Sequence, residues 1–233
     1  MSLLILVDDS LKSRKGRDVM FELGIKFLLS YFLGSIMGAL TMGKLNGGVD
    51  IRNMGSGNAG GTNALRTQGK VFALGVIIID IGKGVVATLS IPFLALPLVI
   101  QEPQISREIL ILCCAFASVM GHVWPLWYQF KGGKGAATLI GTLLVISPFL
   151  VVVMLATFII ILVMFGYVGL ATMLATASIT IYLLITESAS NNPVLVYSLV
   201  MSLYLIYTHR SNIQRMLAGR ETKNKKVMIF SKR

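Results

Sequence analysis

From Gly135 to Ile185 the chain carries no Asp, Glu, Lys or Arg. A membrane-spanning helix needs about 20 predominantly apolar residues, so this stretch is too long for one or two simple crossings. Ser147-Pro148 is a turn signal and Phe165-Gly166-Tyr167 a second, weaker one. Splitting there gives segments 135–146, 149–165 and 168–186. The first is short for a full crossing and suits a half-helix packed inside protein. Further apolar segments fall at 22–43, at 71–96, closed by Pro92 and Pro97, at 108–128 and at 194–208. Together they predict an all-α, polytopic integral membrane protein of seven transmembrane helices. Composition agrees: 55% of residues are apolar and 13% charged, where a soluble domain carries about 25% charged residues.

The net charge of +11 would suggest nucleic acid in a soluble chain. Here the basic residues collect in loops and at the C-terminus, where cytoplasmic flanks and anionic lipid heads would meet them, and no nucleic-acid partner is expected. With seven helices, one side holds Lys44, Arg52, Arg66, Lys70, Lys131, Lys134 and a tail with eight Lys or Arg. The other holds Arg107 with Glu102 and Glu108, then Glu187. That is a positive-inside pattern, and six helices would put the basic tail outside. Lys12, Arg14, Lys15 and Arg17 conflict with this orientation. Residues 1–19 are therefore read as an extension, with Met20 as the expected start, and 20–233 as a single membrane-embedded domain. Cys113 and Cys114 are adjacent, and His122 and His209 are the only histidines, so neither a disulfide framework nor a metal site is expected.

Three polar, glycine-rich stretches all fall on the inner face of this topology. The first runs from Asp50 through Arg52, Gly55-Ser56-Gly57-Asn58 and Gly60-Gly61-Thr62-Asn63 to Arg66. Small residues let backbone N–H groups converge on an anion, Ser56, Asn58, Thr62 and Asn63 add donors, and Arg52 can grip phosphate with its fork. Composition alone equally allows a flexible loop tip. The second, Gly121-His122 to Pro125 and then Lys131-Gly132-Gly133-Lys134-Gly135, opens a helix and suits an anion. It lacks the Walker spacing, which disfavours ATP hydrolysis. The third is His209-Arg210-Ser211-Asn212, where His209 and Asn212 share a helical face. Asp80 and Lys83 sit i,i+3 inside an apolar segment, as a structural ion pair or a catalytic one, and Gly34-Ser35 is a polar break in the first helix.

These three stretches, in order and spacing from about residue 22 to 223, resemble the three motifs of the bacterial acyl-phosphate:glycerol-3-phosphate acyltransferases (the PlsY family). Gly34-Ser35, Asp50-Ile51-Arg52, Gly55-Ser56-Gly57-Asn58, Thr62-Asn63 and Arg66 match the first. Gly121-His122, Pro125 and Lys131-Gly132-Gly133-Lys134-Gly135 match the second. His209-Arg210, Asn212-Ile213, Arg215, Gly219 and Glu221 match the third. The resemblance implies an enzyme of the bacterial inner membrane with its site near the cytoplasmic face. It would move a fatty acyl group from acyl phosphate to the sn-1 hydroxyl of glycerol 3-phosphate, in functional coupling with an acyl-phosphate-forming enzyme. The chain departs from the family pattern at Met37 (usually Pro), at Gly60-Gly61 (usually Gly-Ala) and at Gly169, where the family often carries a serine.

Acyl phosphate is already activated, so such a site needs positioned anion-stabilising groups rather than an acyl-enzyme. The expected catalytic residues are Ser35, Arg52, Lys134, His209 and Asn212. Ser56, Gly57, Asn58, Thr62, Asn63, Gly132, Gly133 and Gly135 are expected to bind substrate. The proton of the attacking hydroxyl would go to a substrate phosphate oxygen or to His209. No cofactor is expected. An organic-anion transporter is the alternative, since broken helices and anion loops suit transport as well, although the motifs show no internal repeat.

Overall fold

The computed structural model describes residues 21–96, 106–187 and 192–229; the expected extension 1–19 and the closing Pro97 lie outside them. Among the described residues every regular element is helical. α1 is Phe21–Gly34. It is followed by α2 (Gly38–Leu45), α3 (Gly61–Gln68), α4 (Lys70–Leu89), α5 (Arg107–Val123), α6 (Ala136–Ile146), α7 (Pro148–Phe165), α8 (Val168–Thr186), α9 (Pro193–Thr208) and α10 (Arg210–Leu217). All seven apolar segments are helical, but their lengths differ. Among the described residues four helices are long and apolar enough to cross a membrane, and the bent pair α1 and α2 would make a fifth. α6 and α9 are apolar but shorter, at 11 and 16 residues. α7 is the most apolar, with a mean hydropathy of 3.0 and only 17% of its span buried in protein, so its surface is built for lipid.

Sequence punctuation sets the breaks. Pro148 takes the first helical position of α7, where its missing N–H costs nothing. Gly166 ends α7 with φ of 75°, the left-handed conformation that stops helices cleanly.

The first segment, expected as one helix over 22–43, is two helices bent by 42° at Ser35–Met37. A break at membrane depth frees backbone groups that lipid cannot satisfy. Here the Asp80–Lys83 pair of α4 satisfies them. Gly38 N donates to Asp80 Oδ1 at 3.1 Å, and Lys83 Nζ donates to Ile36 O at 2.6 Å. The two polar anomalies of the sequence are therefore one device.

Helices in lipid associate through close packing of small residues. A Cβ on Gly34 would lie 2.1 Å from Ser118 O, and one on Gly121 2.1 Å from Tyr31 O, so α1 and α5 touch backbone to backbone. Gly84 against Thr138 O and Gly141 against Ile81 O do the same for α4 and α6. Apolar packing then divides in two. Leu112, Val119, Leu139, Leu143, Met154, Ile179, Met201 and Leu205 join α5 through α9. Met37, Leu40, Ile51, Ala59, Ala64, Phe72 and Val76 bind the 50–60 loop to α2, α3 and α4.

Candidate active site

The first polar stretch is pinned at two buried apolar points, Ile51 and Ala59. Between them Asn63, itself buried, works as a staple. Its Nδ2 donates to Ile51 O and Met54 O, and its Oδ1 accepts from Ser56 N at 2.9 Å. A Cβ on Gly55, where φ is 57°, would fall 2.3 Å from Asn63 Oδ1, so only glycine fits. Arg52 spends its fork on Asp50, with NH2 to Oδ2 at 2.7 Å and Nε to Oδ1 at 3.0 Å, and this contact holds the Asp50 carboxyl below the usual range. The free end of Arg52 reaches Tyr128 O and Lys131 O. Those carbonyls flank Gln129 and Phe130, which both have φ of 57°.

The second stretch closes over His122. Gly133 N donates to His122 O and Gly132 N to Val123 O. A Cβ on Gly133 would sit 2.1 Å from His122 Nε2, and one on Gly132 2.1 Å from His122 O. This close packing delivers Lys134 and the start of α6 to the third stretch. Thr208 Oγ1 donates to Lys134 O, and Lys134 Nζ donates to Asn212 Oδ1 in a short contact. Asn212 Nδ2 donates to Glu221 Oε1 at 3.0 Å, and Glu221 Oε2 accepts from Arg215 Nε at 2.6 Å. His209 Nδ1 sits 2.8 Å from Leu205 O, which places the ring proton there and leaves Nε2 as an acceptor. Burial, with the Lys134 charge next, holds His209 down at about 4, so it is neutral at physiological pH. Burial first, then the Arg215 charge, brings Lys134 down to about 8.

Two spaces meet at these residues. One cavity of about 290 Å³ has a mixed lining: polar residues including Ser56, Thr62, Arg66, Lys134, His209 and Asn212, and apolar ones including Ile77, Ile81, Ile140, Leu155 and Phe158. A polar cleft of about 340 Å³ is lined by Gly57, Lys131, Gly132, Gly133, Arg210 and Ser211. Ser56, Asn58, Lys134 and Arg215 line both. Three helices begin at the cavity. Gly61, Thr62 and Asn63 of α3, Ala136 and Ala137 of α6, and Val168 and Gly169 of α8 all line it. None of these helices has a side-chain N-cap, and their first intrahelical bonds come from Ala64, Leu139 and Ala171. Their leading N–H groups and positive dipole ends therefore converge on one space.

The chain matches the family model described as glycerol-3-phosphate acyltransferase over residues 24–219. It is 35% identical over 199 residues to the glycerol-3-phosphate acyltransferase of Prochlorococcus marinus (strain MIT 9515), covering 85% of this chain and 96% of that protein. It is 38% identical over 197 residues to that of Finegoldia magna, covering 84% and 93%. The chain belongs to the glycerol-3-phosphate acyltransferase family. Its fold is similar to crystal structures of PlsY, an integral membrane glycerol 3-phosphate acyltransferase. The TM-score is 0.74 at 33% identity with the glycerol 3-phosphate form and 0.72 at 32% with the lysophosphatidic acid form, each covering 86% of this chain and 94% of the other. This membership favours the enzyme over the transporter.

Against this family background the expected site residues sort by position. Ser56, Asn58, Thr62, Lys134, His209 and Asn212 come together in the cavity lining, with Gly57, Gly132 and Gly133 in the adjoining cleft and Gly135 at the start of α6. Ser35 does not join them: it is fully buried and its hydroxyl donates back to Tyr31 O, in its own helix, at 2.9 Å. Arg52 lines neither space, because Asp50 occupies its fork. Asn63 lines the cavity, but both ends of its amide hold the 51–56 loop. The N–H groups of Gly132 and Gly133 bond to α5 carbonyls, so the anion donors of this stretch are those opening α6. The sequence reading missed Arg66, Arg215 and Glu221 as lining residues, though all three lie inside the motifs. Asp80 and His122 also line the cavity.

Proposed function

We propose that the cavity is an acyl-transfer site, moving a fatty acyl group from acyl phosphate to the sn-1 hydroxyl of glycerol 3-phosphate. The products are 1-acyl-glycerol 3-phosphate and inorganic phosphate. The observation that carries this reading is the cavity's mixed lining. Three uncapped helix starts with Lys134, Arg66 and Arg215 suit an anion, and the isoleucine and phenylalanine side chains in the same lining suit an alkyl chain. Acyl phosphate is an amphiphile of this shape. The polar cleft suits glycerol 3-phosphate, and Lys134, at the junction, stands beside both phosphates.

In the reaction the glycerol oxygen attacks the acyl carbon, the bond from that carbon to the phosphate oxygen breaks, and phosphate leaves. Lys134 and the α6 N–H groups stabilise the developing oxyanion. Ser56 and Thr62 donate to phosphate oxygens, and Asn212 orients Lys134. Arg52 holds the 128–131 loop rather than substrate. The hydroxyl proton goes to His209 Nε2 or to a phosphate oxygen. Purified protein given palmitoyl phosphate and glycerol 3-phosphate should release phosphate in step with 1-acyl product. Release without that product would reject the transfer.

The finer topology is part of this reading: seven helices in the bacterial inner membrane, the site near the cytoplasmic face, and acyl phosphate supplied by a partner enzyme. The basic loops around the site support that orientation. In a chain with Cys113 and Cys114 replaced by alanine, a cysteine at Glu187 should be labelled from outside the cell and one at Lys225 should not. Outside labelling at Lys225 would overturn the seven-helix arrangement.

A further inference from the structure

Lys83 Nζ has three neighbours at hydrogen-bonding distance: Ile36 O at 2.6 Å, His122 Nδ1 at 2.8 Å and Asp80 Oδ1 at 3.0 Å. An ammonium group has three N–H donors and no acceptor, so the three contacts account for all of them. The His122 Nδ1 contact then requires that nitrogen to accept, which places the ring proton on Nε2. Asp80 Oδ1 also approaches Nδ1, but at the longer distance of 3.3 Å, and the closer ammonium decides the tautomer. With one carboxylate and one ammonium already paired, a neutral imidazole leaves the cluster without net charge. A second cation here would be buried without a partner.

His122 Nε2 is the group in this cluster with no partner among the described residues. It lies against Gly133, the neighbour of Lys134 in the chain, and His122 and Lys134 line the same cavity. His122 is 2% exposed, yet its Nε2 is not among the fully enclosed unpaired polar atoms, which in the described residues are Ser30 Oγ, Thr138 Oγ1 and Tyr204 OH, so it keeps contact with the space that the residue lines. A histidine with a purely structural role would have both nitrogens satisfied from within. This one is hydrogen-bonded at Nδ1, while Nε2, packed beside Gly133, has no hydrogen-bond partner among the described residues. Its backbone carbonyl accepts from Gly133 N, so the ring and the loop that carries Lys134 are held in one register.

We propose that His122 is a further substrate-binding residue, a neutral Nε2–H donor to an oxygen of the anion held beside Lys134. A neutral imidazole is a usable donor to a carbonyl or oxyanion, and it supplies a hydrogen bond without adding charge. Asp80 and Lys83 are positioning residues that act through it. The inference rests on the reading of the cavity as a phosphate-ester site.

The chain has only two histidines, so 15N-histidine NMR of the full chain in detergent is assignable with His209→Gln as reference. At neutral pH His122 should show a protonated Nε2 and an unprotonated Nδ1, and its Nε2 signal should shift when glycerol 3-phosphate or palmitoyl phosphate is added. His122→Asn keeps an acceptor near Lys83 but places nothing at Nε2. It should raise KM for one phosphate substrate about three- to tenfold, the value of one neutral hydrogen bond. His122→Gln, which returns an N–H near Nε2, should recover part of that loss. A proton on Nδ1 would overturn the inference, as would an Nε2 signal that ignores both substrates while turnover proceeds. Equal KM values for the Asn and Gln variants, both folded, would do the same. The NMR arm uses the unaltered protein, so it decides even if a variant misfolds. A wild-type chain that binds neither substrate would overturn the underlying reading together with this inference.

Discussion

Among the described residues two ion pairs are buried on both sides, each within one turn of one helix, and they do different things. At the cavity end Asp80 and Lys83 meet at 3.0 Å, 1% and 3% exposed. At the other end of α1 Glu22 and Lys26 meet at 2.7 Å, 2% and 0% exposed. Each lysine also donates to a carbonyl where helical geometry stops: Lys83 to Ile36 O in the α1–α2 break, Lys26 to Pro92 O after α4. The physics is shared, since a buried charge pair supplies hydrogen bonds that lipid cannot. What differs is the neighbour. Asp80 and Lys83 touch His122 and border a cavity. Glu22 has Arg107 at 3.6 Å and lines neither the cavity nor the polar cleft. Helix starts differ too, though not along the same line. α5 and α9 begin away from the cavity with Ser106 and Asn192 accepting from their backbones, and α4 and α7 begin away from it without a side-chain cap; what sets α3, α6 and α8 apart from these is that their uncapped starts line the cavity. An uncapped start gains a use for an anion only where it borders a space that can hold one.

The sharpest way to break this comparison is to remove one partner of the remote pair. Glu22→Ala leaves the Lys26 charge buried, which typically costs about 3–5 kcal/mol of stability. Thermal unfolding in detergent should show the loss, while turnover per folded molecule stays at the wild-type level. A fall in kcat for the folded fraction would mean the two ends are coupled.

Next in size is Lys134→Ala. Losing one preorganised oxyanion donor typically costs about 10²–10³-fold in rate, here with the fold intact because Lys134 lies in a loop. The titration of this residue gives a second, independent reading. Burial brings its ammonium down to about 8, and only the protonated form attracts phosphate. Affinity for glycerol 3-phosphate should therefore be full below pH 8 and fall as pH rises through it, about tenfold per unit. Lys134→Arg stays charged and should abolish that inflection. If the inflection persists in the arginine variant, another group titrates.

The sequence made these two ends unequally legible. Apolar run length, Ser147-Pro148 and Gly166 placed α6, α7 and α8 almost to the residue, because local chemistry sets those boundaries. Lys134, His209 and Asn212 were legible because each lies in a dense polar motif between apolar runs. The α1–α2 break was visible as Gly34-Ser35, but its purpose was not, since the groups that satisfy it come from α4, more than 40 positions away. The Arg52–Asp50 contact was hidden for the same reason: nothing in Asp50-Ile51-Arg52 says that the fork closes on a carboxylate two residues away. The uncapped starts of α3 and α8 were invisible, because glycine and tyrosine before a helix carry no sign of an intended anion.

Arg52 offers the smallest effect and the finest discrimination. Its pair with Asp50 is only partly buried, 26% and 31% exposed, and such pairs contribute about 0–1 kcal/mol. Its other work is mechanical. Tyr128 O and Lys131 O, the carbonyls it holds, bracket Gln129 and Phe130, and two non-glycine residues at φ of 57° each store about 1–3 kcal/mol of strain. Arg52→Lys keeps the charge but loses the fork, so the 128–131 loop is held less firmly and Lys134 beyond it is less well placed. Activity should fall about three- to tenfold, far short of Lys134→Ala, in keeping with a strain of that size only partly released. Gln129→Gly, which relaxes the strained pair, should recover part of the loss in the double variant. If Arg52 gripped substrate phosphate instead, Arg52→Lys would cost nearly as much as Lys134→Ala and no change at Gln129 would restore it. Measuring kcat/KM for the single and double variants side by side separates a clamp from a ligand.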